Sequence, residues 1–147
     1  MPTINEVTIV VVEDNEGHAR LIEKNLKRAS IANPIVKLAD GQLALDYLFG
    51  EHGFVTDNTH PPLLILLDLN LPVVDGYRLL ERIKAHPQTK SIPIIVLTTT
   101  DDLQEINRCY ELGCNVYITK PVDYDQFADA IAKLGLFLSV VMLPKQD

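Results

Sequence analysis

Acidic residues directly follow two apolar runs of this chain, and they are of a type that binds metal ions. Asp68 follows the run 63–67, and Glu13 and Asp14 follow the β-branched run 7–12. If folding brings these carboxylates together, they raise one another's pKa unless a cation lies between them. A few carboxylates, a backbone carbonyl and water are the ligands that suit Mg²⁺. The residue types therefore predict a site for a hard divalent cation.

Two further polar residues follow apolar runs later in the chain, Thr98 after 94–97 and Lys120 after 116–118. A lysine supplies a fixed positive charge, and a threonine hydroxyl can donate a hydrogen bond to an oxyanion. With a carboxylate nucleophile and a metal, such donors stabilise the equatorial oxygens of a phosphoryl group in transfer. The combination indicates a site that carries a phosphoryl group on an aspartate.

Each of these features also has a structural explanation when it is taken alone. Glu13 and Asp14 could cap the helix that follows them, and Asp75-Gly76 is a turn signal on any fold. Lys120, which precedes a proline, could be a solvated lysine at a turn. Unrelated structural roles would not be expected to place such residues at the end of one apolar run after another. The combination therefore favours the functional interpretation.

The apolar runs predict the elements that carry these residues. Five short, largely apolar runs bounded by turn residues are predicted to be strands, and three of them, 7–12, 63–67 and 94–97, are predicted to be buried. The other two are the short strands 35–38 and 116–118. Helical spacing of apolar residues predicts helices over 16–29, 41–49, 77–85 and 101–112, with a longer last helix from near 123 towards 143. Residues 50–60 are predicted to be a long loop.

Strands that alternate with helices predict a doubly wound (βα)5 domain of the α/β class. Its five-stranded parallel sheet would be covered by helices on both faces. In such a sheet all carboxyl ends lie along one edge, where open α/β folds bind their ligands. We therefore expect Glu13, Asp14, Asp68, Thr98 and Lys120 to converge at that edge.

The composition is typical of a single globular domain in the cytoplasm. The chain has 147 residues, 47% of them hydrophobic, and its net charge of −7 is unfavourable for nucleic-acid binding. No apolar run approaches the roughly 20 residues of a membrane helix, and there is no signal-peptide pattern. The spacing of Cys109 and Cys114 suits neither zinc nor a disulfide framework, so both are expected to be reduced. The histidines show no ligand or catalytic spacing and are expected at the surface or in loops: His18, His52, His60 and His86.

In type and order, the polar residues resemble those of the receiver domain of two-component response regulators, across essentially the whole chain. The matching features are Glu13-Asp14, Asp68, Pro72, Asp75-Gly76, Thr98 and Lys120-Pro121. The resemblance implies that residues 1–147 form one receiver domain with a flavodoxin-like fold and an extended carboxyl-terminal helix. It also implies a stand-alone, non-enzymatic regulator that takes a phosphoryl group from a sensor histidine kinase and switches a protein-interaction surface.

Carried over residue by residue, the resemblance makes Asp68 the phosphoacceptor. Asp14, Asp68 and the backbone carbonyl of Asn70 become ligands of Mg²⁺, and Glu13 supports the metal directly or through water. Lys120 would pair with the phosphoryl oxygens.

The resemblance also implies a switch beside the phosphoacceptor. On phosphorylation the Thr98 hydroxyl would turn towards the phosphoryl group, and the Tyr117 ring would move into the space it leaves. The peptide bond between Lys120 and Pro121 is expected to be cis.

Within the family, the chain is most similar to single-domain regulators of bacterial phytochromes, which share the Leu-Asp-Leu-Asn-Leu-Pro core, the long loop and the extended last helix. This implies a phytochrome-type histidine kinase as partner and a homodimer through the face of the fourth and fifth helices. The final turns of the predicted last helix are apolar on both sides. Their second apolar stripe must be shielded from water, either by a partner subunit or by the chain's own loops. The predicted interface residues are Leu136, Phe137, Val140 and Leu143.

Two other functions use some of the same residues. Haloacid-dehalogenase-type phosphatases combine an aspartate nucleophile, Mg²⁺, a threonine and a lysine, but their nucleophile follows the first strand and has an acidic general acid two residues later. Here Asp68 follows the third strand, and Asn70 stands where that acid would be. A receiver-like module that works without phosphorylation usually lacks an acid or the lysine, whereas this chain has them all.

Overall fold

Five parallel strands form one sheet in the computed structural model, which describes residues 7–28, 31–56, 61–99, 101–120, 125, 126 and 129. The strands are β1 (Thr8–Val12), β2 (Ile35–Leu38), β3 (Leu63–Asp68), β4 (Ile94–Thr98) and β5 (Val116–Thr119). Their spatial order is β2-β1-β3-β4-β5, and every neighbouring pair is parallel. The predicted doubly wound parallel sheet is confirmed.

Helices cover both faces of this sheet. They are α1 (Glu16–Arg28), α2 (Gly41–Phe49), α3 (Gly76–Ala85) and α4 (Leu103–Leu112). Ile9 and Val11 of β1 lie in a core cluster with residues of α1, whereas Val10 and Val12 lie in a second cluster with residues of α2, α3 and α4. Because successive strand residues face opposite layers, a strand covered on both sides has an unbroken apolar sequence.

Little of the predicted last helix belongs to the described part of the chain. Residues 125, 126 and 129 are helical, and the remainder of 121–147 lies outside the described residues. Within the described ranges, no helix combines the length and the apolar character that crossing a bilayer requires.

Side-chain caps fix where each helix begins after its strand. At the start of α1, Asn15 Oδ1 accepts a hydrogen bond from the N–H of His18 at 2.9 Å. Asn15 therefore caps α1, and the alternative role of Glu13 and Asp14 as its caps is wrong. The other three helices are capped by aspartates: Asp40, Asp75 and Asp102.

Gly76 allows α3 to begin directly beside the end of β3. A Cβ atom at this position would lie 2.5 Å from Cα of Leu69 and 2.6 Å from the carbonyl oxygen of Asp68. No side chain fits there, because real Cβ atoms do not approach backbone so closely. The turn predicted at Asp75-Gly76 is thus the first turn of α3, packed against the backbone of Asp68.

The loop between β3 and α3 contains a strained residue, Val73, whose φ of 70° lies in the left-handed region. This conformation costs an L-residue roughly 1–2 kcal/mol, and Val73 is 78% exposed, so its packing offsets little of that cost. We expect Val73→Gly to raise the free energy of unfolding by about 0.5–1 kcal/mol, because the relieved strain exceeds the added chain entropy of glycine. Urea denaturation measures the change. Val74→Gly, at a residue without positive φ, should lower stability, and a destabilised Val73→Gly would contradict the argument.

Candidate functional site

The predicted site residues meet at the carboxyl edge of the sheet. The N–H of Glu13 donates to the carbonyl of Leu38 at 3.0 Å, which holds the end of β1 against β2, and the N–H of Lys120 donates to the carbonyl of Thr98 at 2.7 Å. The strand order reverses between β1 and β3, and doubly wound folds bind their ligands in the crevice at such a reversal. Asp68 is the last residue of β3 and lies in that crevice.

Three carboxylates form a compact cluster in the crevice. Glu13, Asp14 and Asp68 each offer an oxygen within 4.8 Å of the oxygens of the other two. Glu13 and Asp68 are buried, whereas Asp14 is exposed. The N–H of Asn70 donates to Asp68 Oδ1 at 3.3 Å, so the segment after β3 turns back towards the cluster. This set of hard oxygen donors, open to water at Asp14, fits a divalent cation such as Mg²⁺.

Lys120 supplies positive charge to the cluster. Its Nζ donates to Glu13 Oε1 and lies 3.4 Å from Asp68 Oδ2. Only 10% of the Lys120 side chain and 1% of the Glu13 side chain are exposed. The ammonium group therefore partly neutralises the two buried carboxylates.

Glu13 remains electrostatically unfavourable as an anion despite this lysine. Burial raises the pKa of Glu13 to about 7, and a hydrogen bond with Asp68 together with the charge of Asp68 adds to the effect, while Lys120 opposes it. The ionised form of a buried carboxylate beside a second carboxylate is strongly stabilised when a cation binds between them. The electrostatics of the cluster thus agree with the fit of its donors to a divalent cation.

Thr98 and Tyr117, the predicted switch pair, contact each other. Thr98 is fully buried at the end of β4, and Tyr117 is half-buried on the neighbouring β5. Burial raises the pKa of Tyr117 to about 12, and the nearby Cys109 and Glu105 add to this, whereas a hydrogen bond with Thr98 opposes it. The two side chains are therefore linked by a hydrogen bond.

The structure adds one residue that sequence reasoning had assigned only to the surface, His18. It is exposed, as expected, but its Nδ1 lies 3.4 Å from Lys120 Nζ and 3.6 Å from Glu13 Oε1. The available signal was its position in the first turn of α1, just after the strand that carries Glu13. A residue there lies at the edge of the sheet where the strand ends.

Several predictions fall on residues outside the described part of the chain. These are the cis bond before Pro121 and the interface residues Leu136, Phe137, Val140 and Leu143.

Known proteins resemble this chain over nearly its whole length. The family model of the response regulator receiver domain matches residues 9–132. The chain is 36% identical over 137 residues to the response regulator Rcp1 of Synechocystis sp., covering 92% of each protein. It is similar to the Mn²⁺-bound form of Rcp1, with a TM-score of 0.71 and 95% and 99% of the two chains covered.

Two further solved structures are similar. A response regulator receiver domain from Rhodospirillum rubrum is 53% identical, with a TM-score of 0.74. The bacteriophytochrome response regulator AtBRR is 36% identical, with a TM-score of 0.78. In both comparisons 96% of this chain and 99% of the other are covered.

Glu13 makes the stability of the metal-free protein depend on pH. Its pKa is about 7 in the folded protein against an ordinary value of 4.5, so the ionised form opposes folding. This cost is absent below the ordinary pKa, grows between the two values and is complete above the folded pKa. With a chelator present, we expect lowering the pH from about 8 to about 5 to stabilise the wild type by on the order of 2–3 kcal/mol relative to Glu13→Gln. Denaturation at both pH values measures the difference, and parallel pH profiles of the two proteins would refute it.

Proposed function

Because this chain belongs to the response regulator receiver domain family, we propose that it accepts a phosphoryl group on Asp68 from a sensor histidine kinase. The observation that carries the proposal is the position of the Asp68 carboxylate, at the buried end of β3, 3.4 Å from Lys120 Nζ and clustered with Glu13 and Asp14. An Asp68 oxygen would attack the phosphorus atom of a phosphohistidine. A P–O bond would form as the P–N bond breaks, and the imidazole nitrogen would keep the electron pair.

Lys120 and a divalent cation would stabilise the charge of the phosphoryl oxygens. Asp14, Asp68, the Asn70 carbonyl and Glu13 would hold Mg²⁺, whose chemical contribution is neutralisation of that charge. The compact cluster of three carboxylates supports this assignment, as does the Mn²⁺ bound to the similar protein Rcp1. The Lys120 ammonium would leave Glu13 and donate to a phosphoryl oxygen beside Asp68.

The hydrogen bond between Thr98 and Tyr117 suggests how the phosphoryl group would be sensed. A threonine hydroxyl has a single proton to donate, and in this structure the hydroxyl is hydrogen-bonded to Tyr117. A phosphoryl oxygen on Asp68 would compete for that proton. Once Thr98 donates to the phosphoryl group, Tyr117 can keep its bond to Thr98 only as the donor, and a turn of the Thr98 hydroxyl away from the ring would free Tyr117 to move and alter the surface of β5.

The partner would be a phytochrome-type histidine kinase, and the protein would act in the cytoplasm as a signalling domain without enzymatic activity of its own. Similarity to the bacteriophytochrome response regulator AtBRR supports this kinase class. The net charge of −7 speaks against a direct role in nucleic-acid binding.

Replacement of Asp68 tests the function directly. We expect Asp68→Asn to abolish labelling by a phosphorylated sensor kinase, or by a small phosphodonor with Mg²⁺, because an amide is a poor nucleophile. The matched control is Asp46→Asn, an equivalent change at an exposed residue of α2, which should be labelled like the wild type. Base-labile incorporation of radioactive phosphate is the measurement, and undiminished labelling of Asp68→Asn would remove Asp68 from the mechanism.

The proposed function also includes self-association of the protein as a homodimer. Its support is the sequence of the terminal segment, in which Leu136, Val140 and Leu143 form a second apolar stripe that must be covered. We expect Leu136→Ser combined with Val140→Ser to weaken self-association in sedimentation equilibrium. Lys133→Ser, a polar control in the same segment, should not. A wild-type protein that stays monomeric at high concentration would contradict the proposed homodimer.

A further inference from the structure

Among the described residues, the Lys120 ammonium group contacts three side chains, and one of them lies outside the acidic cluster. It donates to Glu13 Oε1 and lies 3.4 Å both from Asp68 Oδ2 and from His18 Nδ1. Glu13 and Asp68 both belong to the set of oxygens that could bind a cation. His18 is therefore the member of the three that offers a ring nitrogen and not a carboxylate oxygen.

A divalent cation and the Lys120 ammonium compete for the same two carboxylates. Both are positive, and at contact distances in a poorly solvated crevice their repulsion is large. The ammonium must therefore move off Glu13 before a cation can be held there. Because only 10% of the Lys120 side chain is exposed, water alone does not replace the lost hydrogen bond, and an ammonium without acceptors is costly.

His18 is well placed to receive the displaced ammonium. An ammonium group only donates hydrogen bonds, so the contact is favourable when Nδ1 carries the lone pair of a neutral ring. The backbone of His18 is held by the Asn15 cap in the first turn of α1, and 48% of the side chain is exposed at the rim of the crevice. The ring can therefore accept Lys120 without giving up a carboxylate that the cation needs.

We infer that His18 is a positioning residue for Lys120, which accepts the ammonium when it leaves Glu13 and thereby strengthens the binding of a divalent cation to Glu13, Asp14 and Asp68. This inference rests on the proposed function, because it takes the acidic cluster to be the metal site. It assigns to His18 a role that neither the acidic cluster nor the phosphoacceptor motif includes.

The test is a titration of the metal-free protein with MgCl₂ in a calorimeter, without any phosphodonor and at about pH 8, where imidazole is neutral. Removing the acceptor with His18→Leu should raise the dissociation constant for Mg²⁺ about five-fold, the effect of losing one ordinary hydrogen bond. His18→Asn, whose side-chain oxygen can take the place of Nδ1, should restore most of the affinity. His52→Leu, the same change at an exposed histidine, should leave the constant unaltered.

A double-mutant cycle with Lys120→Met shows whether His18 acts through the lysine. Without the competing ammonium, His18→Leu should have no effect on Mg²⁺ affinity. The inference is overturned if His18→Leu binds Mg²⁺ as tightly as the wild type, if His18→Asn is as weak as His18→Leu, or if the loss persists without Lys120. Since no phosphoryl transfer takes place, these outcomes are separate from Asp68 labelling, whose failure would overturn the proposed function alone.

Discussion

Neutralisation of negative charge at the carboxyl edge of the sheet is the constraint on which the rest of this structure depends. Glu13 and Asp68 are buried side by side, with the ammonium of Lys120 between them. Removing such charges from water costs several kcal/mol per ion, and their attraction seldom yields a net gain. The cluster is therefore a cost to the fold, which the apolar layers on both faces of the sheet must offset.

The framework around the cluster is built so that its carboxylates stay where they are. β1, β3 and β4 are buried at every position, and α3 is held against the backbone of Asp68 because Gly76 has no side chain. Asn15 caps α1, so the carboxylates of Glu13 and Asp14 are not needed as helix caps. The strained Val73 belongs to the same loop, which agrees with the tendency of strain to be stored near functional sites.

Apart from the Thr98 hydroxyl, the groups that move in the proposed mechanism lie on less tightly packed elements. Tyr117 is on the half-buried edge strand β5, Lys120 follows that strand, and His18 is at an exposed helix start. Local mobility is greatest where few apolar contacts are made. A rigid acceptor and loosely packed neighbours are what a domain needs if a phosphoryl group is to change its surface without unfolding its core.

The sequence by itself determined the strands, the parallel sheet and the edge at which Asp68, Glu13 and Asp14 meet, because a run buried on both faces requires helices on both sides and parallel strands end together. Local sequence likewise sets the ends of α4, because Asp102 caps its start and Gly113, in the left-handed region, ends it. Only the tertiary structure decided that Lys120 contacts Glu13, 107 positions away, and that His18 joins them. Such contacts depend on the spatial order of the strands and on the angle at which α1 leaves β1. Hydrophobic periodicity records which face of an element is buried, but not which exposed side chains from distant elements meet.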